Sequence, residues 1–189
     1  MLHLIGARAG SSLVRPVLWT LGGLAVLLLA GASALPRPAA AGATTLPLAG
    51  ATVTQGFGCT SVPFEPVDPA CPTGHFHSGV DLSAPAGTPV YSVCAGPAAT
   101  EVTAGGYGIH VVVECGGGLE MLYGHLSASA VTAAALLSSG TLLGWVGSTG
   151  LSTGPHLHFE VRRAGAAVDP TPWLPAYAGA STHRRDQRW

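Results

Sequence analysis

The chain has 189 residues, of which 48% are hydrophobic and 9% are charged, and its formal net charge is −1. This length provides one domain of ordinary size, so we do not expect a second core. All eight basic residues are Arg, and they form no stripe or cluster that could contact phosphates, which argues against nucleic acid as a partner.

The first 34 residues have the pattern of an export signal. Arg8 and Arg15 precede an apolar run from Val17 to Ala30, and small residues follow at 32–34, as at a cleavage site. The apolar stretch also approaches the roughly 20 residues that a membrane-spanning helix needs, so an uncleaved anchor is the alternative. We favour cleavage and expect a secreted or extracytoplasmic protein, tethered to the membrane if the segment is kept.

The remaining chain is predicted to contain a linker, a folded domain and a tail. Residues 35–45 are rich in Pro and Ala and have little periodicity, which is typical of an extended linker. We place the domain at 46–174, because a Pro-rich segment from Asp169 onwards breaks regular structure. Residues 175–189 are small, polar and Arg-bearing, and we predict a flexible C-terminal tail there.

Short runs of β-branched and aromatic residues alternate with Gly, Pro and Ser clusters in the domain, which predicts a mainly β fold built on antiparallel strands. A short Ala-rich stretch, Ala128 to Leu137, is the one segment for which we predict a helix. The predicted strands are Thr52–Phe57, Val80–Leu82, Pro89–Ala95, Thr100–Ala104, Ile109–Glu114, Glu120–His125, Thr141–Val146 and His156–Arg163.

The four cysteines all follow the predicted signal, and an even number in an exported chain favours disulfides. Three pairings are possible. Cys94 and Cys115 each end a strand-like run, so we favour a cross-strand bridge between them, which leaves Cys59 to pair with Cys71 across a loop. A zinc–thiolate site is the alternative, but no C-x-x-C spacing supports it.

Histidines stand in two patterns that could converge on a metal ion. His77 and Asp81 are four residues apart, and this even separation puts both side chains on one face of an extended segment. His156, His158 and Glu160 likewise share one face of a strand, whereas the apolar residues between them share the other. One carboxylate and several imidazoles can therefore approach a common point.

These residue types fit a catalytic zinc site, which takes three protein ligands and leaves a fourth position to water. His77, Asp81 and one of the pair His156/His158 supply that set, and the surplus imidazoles, with the lone His125 beside a Gly, could handle protons or an oxyanion. Each pattern alone is also compatible with solvated or hydrogen-bonded histidines. His110 lies in an apolar run, where a satisfied strand histidine is the better interpretation, and the pattern leaves His75 ambiguous.

The chain from about Thr52 to Trp173 resembles the lysostaphin-type (LytM-like) zinc endopeptidases of the bacterial cell wall. The resemblance rests on the order and spacing of His77-Ser-Gly-Val-Asp81, Ala84-Pro-Ala-Gly-Thr-Pro-Val90, Gly105-Gly-Tyr-Gly108, Tyr123-Gly-His-Leu126, Gly147-Ser-Thr-Gly150 and Ser152-Thr-Gly-Pro-His-Leu-His-Phe-Glu-Val161. It implies a compact antiparallel β-sheet domain with the metal in a groove, and one Zn²⁺ ion per chain held by His77, Asp81 and His158. It further implies that His125 and His156 are the catalytic pair.

The resemblance predicts hydrolysis of peptide bonds in peptidoglycan, either in a cross-bridge or in a stem-peptide cross-link, with peptidoglycan peptides as the partner. The family also contains members without a complete ligand set that activate other wall hydrolases, so a non-catalytic module is the alternative. The ten residues before His77 contain no Tyr, which glycine-cleaving relatives commonly carry there. Glu160 could orient an imidazole or form a structural salt bridge. A sugar- or lipid-binding β domain is disfavoured because the domain lacks an aromatic platform.

Overall fold

Twelve β-strands and one short 3₁₀ helix account for the regular structure of the chain in our computed structural model, which describes residues 46–132 and 134–174. The 3₁₀ helix is Thr171–Trp173. The strands are β1 (Thr52–Gln55), β2 (Gly58–Thr60), β3 (His75–His77), β4 (Val80–Ser83), β5 (Pro89–Tyr91), β6 (Gly96–Thr103), β7 (Gly108–Gly116), β8 (Leu119–Ser129), β9 (Ala135–Leu137), β10 (Leu142–Val146), β11 (His156–Arg163) and β12 (Ala166–Val168).

Ten of these strands form one sheet, whose main path runs β1-β4-β11-β8-β7-β6-β9. Strand β10 pairs with β5 and β8, β12 pairs with β11, and β2 and β3 form a separate two-stranded sheet. All the pairs are antiparallel. The mainly β, antiparallel fold predicted from the sequence is therefore confirmed.

Strand β11 shows how the sequence alternation divides the core from the polar face. Leu157, Phe159 and Val161 are fully buried in the hydrophobic core, where the Phe159 ring lies 5.3 Å from that of Tyr123 on β8. His158 and Glu160, between them in sequence, point to the opposite face because successive strand residues alternate. Register places His158 directly opposite Asp81 on β4 and Gly124 on β8, so the sheet itself assembles the polar cluster.

The helix predicted at Ala128 to Leu137 is wrong for the described part of that segment. Ala128 lies near the end of β8, opposite Trp145 of β10, and Ala135 begins β9, opposite Ala98 of β6. Pairing with neighbouring strands satisfies the backbone of this Ala-rich stretch, so tertiary context overrides its weak helical preference. The prediction also made β5 too long, since the strand ends at Tyr91, and it omitted the short strands β2, β3, β9 and β12.

Both disulfides follow the favoured pairing. Cys59 bonds to Cys71 with a Cα–Cα distance of 5.3 Å, and Cys94 bonds to Cys115 with 5.7 Å. The first bridge joins β2 to the segment before β3. The second joins the segment between β5 and β6 to β7. The alternative of a zinc–thiolate site is wrong, since no described cysteine is free.

The predicted signal or anchor, the linker at 35–45 and the tail at 175–189 lie outside the described residues, so they stay predictions. The limits 46–174 of the folded domain are likewise a prediction. Within the described residues, no helix has the length and apolar character to cross a bilayer.

Candidate metal centre

Three side chains from β3, β4 and β11 converge at one point on the polar face of the sheet. His77 Nε2 lies 3.0 Å from His158 Nδ1 and 3.2 Å from Asp81 Oδ1, and the last two atoms are 3.1 Å apart. All three residues are buried or nearly so. The structure therefore brings together the three residues that the sequence resemblance named as ligands.

The geometry and chemistry of this cluster fit zinc. Zn–N and Zn–O bonds of about 2.0–2.2 Å in a tetrahedron place neighbouring ligand atoms about 3.3 Å apart, close to the separations in the cluster. Two imidazole nitrogens and one carboxylate oxygen are a usual catalytic donor set for zinc, with the fourth position left open. Within the described residues, this is the one group of three or more His, Asp, Glu or Cys side chains whose ligand atoms all lie within 4.8 Å of each other.

Close packing at Gly79 allows the three residues to meet. A Cβ atom at this position would lie 2.7 Å from the ring of His158 and 2.7 Å from the carbonyl oxygen of Phe159. Gly79 sits in the turn between β3 and β4, and any side chain there would push β11 away. The His-Ser-Gly-Val-Asp motif thus needs its glycine for space at the metal centre.

Hydrogen bonds fix which nitrogen of each of the two imidazoles faces the cluster. The Nδ1–H of His77 donates to the carbonyl of Gly56 at 2.9 Å, so its Nε2 lone pair points to the other ligands. His158 has the opposite orientation, because its Nε2–H donates to Glu160 Oε2 at 3.3 Å and its Nδ1 faces the cluster. Such partners hold a ligand imidazole in one tautomer and one ring orientation.

Glu160 is a buried carboxylate with donors on every side. Ser78 Oγ donates to Oε2 at 2.5 Å, Tyr107 OH donates to the same oxygen at 2.8 Å, and Arg162 Nε donates to Oε1 at 2.5 Å. Burial alone would raise the pKa of Glu160, but hydrogen bonds from His158, Ser78 and Arg162 lower it to about 2. Both interpretations offered by the sequence hold, since the charged carboxylate contacts the imidazole and forms a salt bridge with Arg162.

Two carboxylates set the protonation of His158. Burial alone would lower its pKa, but hydrogen bonds with Asp81 and Glu160 outweigh this and raise the pKa to about 9. For Asp81, burial alone would raise the pKa, whereas hydrogen bonds from His158 and His77 hold it well below its usual range. His158 must lose its Nδ1 proton to bind a metal, so metal binding is coupled to proton release.

His125 and His156 lie beside the cluster, with ring centroids 4.6 Å apart. The Nδ1–H of His125 donates to the carbonyl of Thr149 at 2.8 Å, and that of His156 donates to Gly154 at 2.8 Å. Each ring therefore keeps its Nε2 available, and His156 Nε2 is 3.7 Å from Asp81 Oδ1. Burial is the main reason that the pKa of His125 falls to about 4, so this imidazole is neutral around pH 7.

The backbone of His125 is held in an uncommon conformation, with a φ of 59°. Its N–H donates to the carbonyl of Tyr107 at 2.7 Å, and its ring is fixed by Thr149. Thr149 in turn accepts a hydrogen bond from the Ile109 N–H and donates one to the Leu126 carbonyl, so the Gly-Ser-Thr-Gly motif is hydrogen-bonded to both β7 and β8. Positive φ at a non-glycine residue is typical of sites where function sets the backbone.

The other two histidines of the domain have partners away from the cluster. His110 is buried, donates to the Gly108 carbonyl at 3.0 Å and lies 3.4 Å from Glu101, so its interpretation as a satisfied strand histidine is confirmed. His75, which the sequence pattern left ambiguous, donates to the backbone carbonyl of Glu65 at 2.7 Å.

Sequence reasoning missed two groups near the centre. The ring centroid of Tyr107, in the Gly-Gly-Tyr-Gly motif, lies 5.4 Å from that of His158, and its hydroxyl donates a hydrogen bond to Glu160. The carboxylate of Glu65 lies 4.0 Å from His77 Nε2. The motif could have indicated Tyr107, but Glu65 stands in an irregular segment whose sequence carries no comparable signal.

Comparisons with known proteins agree with this geometry. The sequence profile described as peptidase family M23 matches residues 75–170. DD-carboxypeptidase/endopeptidase Mpg of Neisseria meningitidis is 44% identical over 102 residues, covering 54% of this chain and 24% of Mpg. Murein hydrolase activator EnvC of Escherichia coli is 38% identical over 96 residues, covering 51% of this chain and 23% of EnvC.

Solved structures add a likeness in fold. The crystal structure of a mutant catalytic domain of the prophage-encoded M23 protein EnpA from Enterococcus faecalis superposes with a TM-score of 0.56 and 31% identity. The match covers 65% of this chain and 91% of the EnpA domain. In contrast, the chain spans about a quarter of the length of the curated relatives it matches.

Proposed function

We propose that this chain, which belongs to peptidase family M23, is a zinc-dependent endopeptidase that hydrolyses peptide bonds in bacterial peptidoglycan. The observation that carries the proposal is the triangle of His77, Asp81 and His158 ligand atoms, 3.0–3.2 Å apart, next to a pair of imidazoles. This arrangement provides the donor set for a metal and two proton-transfer groups in one place.

In this proposal His77, Asp81 and His158 hold one Zn²⁺ ion. When bound, zinc acts as a Lewis acid on the peptide carbonyl and lowers the pKa of water to about 7. Gly56 fixes the tautomer of His77 and Glu160 fixes that of His158. Asp81 supplies the negative charge that a dication needs.

His125 and His156 are the proposed catalytic pair. Their Nδ1–H groups are tied to backbone carbonyls, so each presents Nε2 towards the space beside the ligands. The neutral His125 can accept the proton of the attacking water, and an imidazole on the other side can stabilise the oxyanion of the tetrahedral intermediate. The geometry is compatible with either histidine in either role.

The proposed substrate is the peptide part of peptidoglycan. The similarity to Mpg, whose name describes a DD-carboxypeptidase/endopeptidase, supports this substrate class. The bond cleaved is in a cross-bridge or a stem-peptide cross-link. We also propose that residues 1–34 direct the chain out of the cytoplasm, so that it reaches the peptidoglycan. If these residues are not removed, they tether the chain to the membrane.

A second candidate function is activation of another wall hydrolase, and the similarity to the activator EnvC favours it. In that case the groove would bind a partner or wall peptides without cleaving them. The complete set of three convergent ligand atoms supports the enzyme over this alternative.

The test combines zinc content with cleavage of purified peptidoglycan by the same sample of the exported chain. We expect about one zinc per chain, clearing that stops on chelation, and loss of both properties in His77→Ala and His158→Ala. His75→Asn is the matched control, because Asn keeps the hydrogen bond to Glu65 and the variant should retain zinc and activity. Stoichiometric zinc binding with no cleavage, together with stimulation of a separate hydrolase, would favour the activator.

A further inference from the structure

A third carboxylate, that of Glu65, lies at the edge of the metal centre beside those of Asp81 and Glu160 and takes no part in the function proposed above. Its Oε1 is 4.0 Å from Nε2 of His77, which is the nitrogen that faces the other ligands. The side chain is 19% exposed, so it is accessible to a bound molecule while staying close to the buried cluster. A molecule bound at the metal centre can therefore contact this carboxylate.

Several contacts fix Glu65 in this position. Its Oε1 accepts a hydrogen bond from Gln55 Nε2 at 2.9 Å, and its carbonyl accepts one from His75 at 2.7 Å. The next residue, Pro66, accepts a hydrogen bond from the Phe76 N–H at 3.0 Å. The disulfide from Cys59 to Cys71 encloses the whole segment. These hydrogen bonds and the disulfide therefore hold the Glu65 carboxylate in a fixed position.

The charge of Glu65 has no cationic side chain to balance it among the described residues. Arg162 is engaged by Glu160, and the sole ion pair of Glu65 there is with His77, whose imidazole is neutral when it binds a metal. A divalent ion with Asp81 alone would leave the centre with one net positive charge. Glu65 cancels that charge, so a positively charged group can approach without net repulsion.

The surface beside Glu65 is apolar. Phe64 is 50% exposed and Val67 is 76% exposed, and both belong to the same segment. An aliphatic amine could lay its carbon chain on such a surface while its ammonium group contacts the carboxylate, as amphipathic side chains do elsewhere. The combination of a fixed carboxylate and neighbouring apolar side chains suits this chemical class.

We propose that Glu65 is a specificity-determining residue that binds a free amino group of the peptide substrate near the scissile bond. This inference rests on the proposed peptidase function. A charge-assisted hydrogen bond from an ammonium group to a carboxylate is worth enough to change binding about tenfold or more. The preference for an amine should weaken as salt concentration rises, since the carboxylate is partly exposed.

The experiment uses soluble peptidoglycan fragments with their amino groups either free or acetylated. Cleavage is measured for the zinc-loaded wild type, for Glu65→Gln and for the control Glu101→Gln, whose carboxylate lies on β6 and pairs with His110. We expect the wild type and the control to cleave the free-amine fragments about tenfold more efficiently in kcat/KM. Glu65→Gln should lose this preference and keep its activity on acetylated fragments.

Binding of the same fragments to zinc-loaded His125→Ala, with and without Glu65→Gln, separates this inference from the proposed function. A binding preference for free amines that depends on Glu65 supports the inference even if the wild type cleaves nothing, in which case the proposed function alone fails. Equal binding and cleavage of both fragments by the wild type would overturn it.

Discussion

Replacing Glu160 by Gln should weaken zinc binding although Glu160 is not a proposed ligand. The carboxylate accepts hydrogen bonds from His158, Ser78, Tyr107 and Arg162. A Gln side chain has one acceptor oxygen and a donor NH₂ group, which must face at least one of these donors. Loss of the partner of a metal-binding imidazole typically costs 10–100-fold in metal affinity, which corresponds to about 1.4–2.8 kcal/mol. Competition with a chromophoric zinc chelator measures this loss directly.

The same substitution leaves Arg162 without its ion-pair partner, so it should also reduce stability, by about 3 kcal/mol or more. A double variant, Glu160→Gln with Arg162→Gln, separates the two effects. It should recover part of the free energy of unfolding without recovering zinc affinity. A folded Glu160→Gln chain that binds zinc within twofold of the wild type would refute the argument that Glu160 orients His158.

Three further predictions follow from the same site. His125→Ala should keep its zinc and lose at least about 100-fold in kcat, and a normal kcat at full zinc occupancy would exclude the residue from proton transfer. Gly79→Ala should lower thermal stability and zinc content, because its Cβ would lie 2.7 Å from the His158 ring; Gly105→Ala, with no atom within 4 Å of its Cβ, is the control. Folding lowers the pKa of Glu160 from 4.5 to about 2 in the zinc-free chain. The ionised carboxylate therefore stabilises the fold above about pH 4.5, and this contribution of about 3 kcal/mol is lost as the pH falls towards 2. The free energy of unfolding, measured with urea, should therefore fall less between pH 5 and pH 3 for Glu160→Gln than for the wild type.

Spacing within a strand made only part of the ligand set predictable. His156 and His158 lie on one strand, β11, where residues two apart share a face. The same argument does not cover His77 and Asp81, which lie in different strands, β3 and β4, on either side of Gly79. The antiparallel β class could also be predicted, since the alternation of β11 survives as one apolar face and one polar face, both of them buried. The resemblance then selected His158, rather than His156, as the third ligand, and the structure places His158 Nδ1 beside the other two ligand atoms.

Contacts between distant segments were not predictable in this way. The helix expected at Ala128 to Leu137 failed because the partners of that stretch, Trp145 and Ala98, lie elsewhere in the chain. Glu65 reaches the metal centre because the segment that carries it runs beside β3, through the bridge between Val67 and His75. No local periodicity reports such a pairing, since it depends on register between segments.

The orientation of the imidazoles is the reason that we expect Glu160 to be the most sensitive position outside the proposed ligands. His77, His125 and His156 each donate Nδ1–H to a backbone carbonyl, an acceptor that no substitution at that residue removes. His158 alone among the four depends on a side chain, because its Nδ1 faces the ligands and its Nε2–H must find an acceptor across the sheet. A single substitution can therefore release the ring of His158 but not those of the other three. This asymmetry is why we expect changes at Glu160 to act on the metal, whereas changes near Gly56, Thr149 and Gly154 should act mainly through backbone shape.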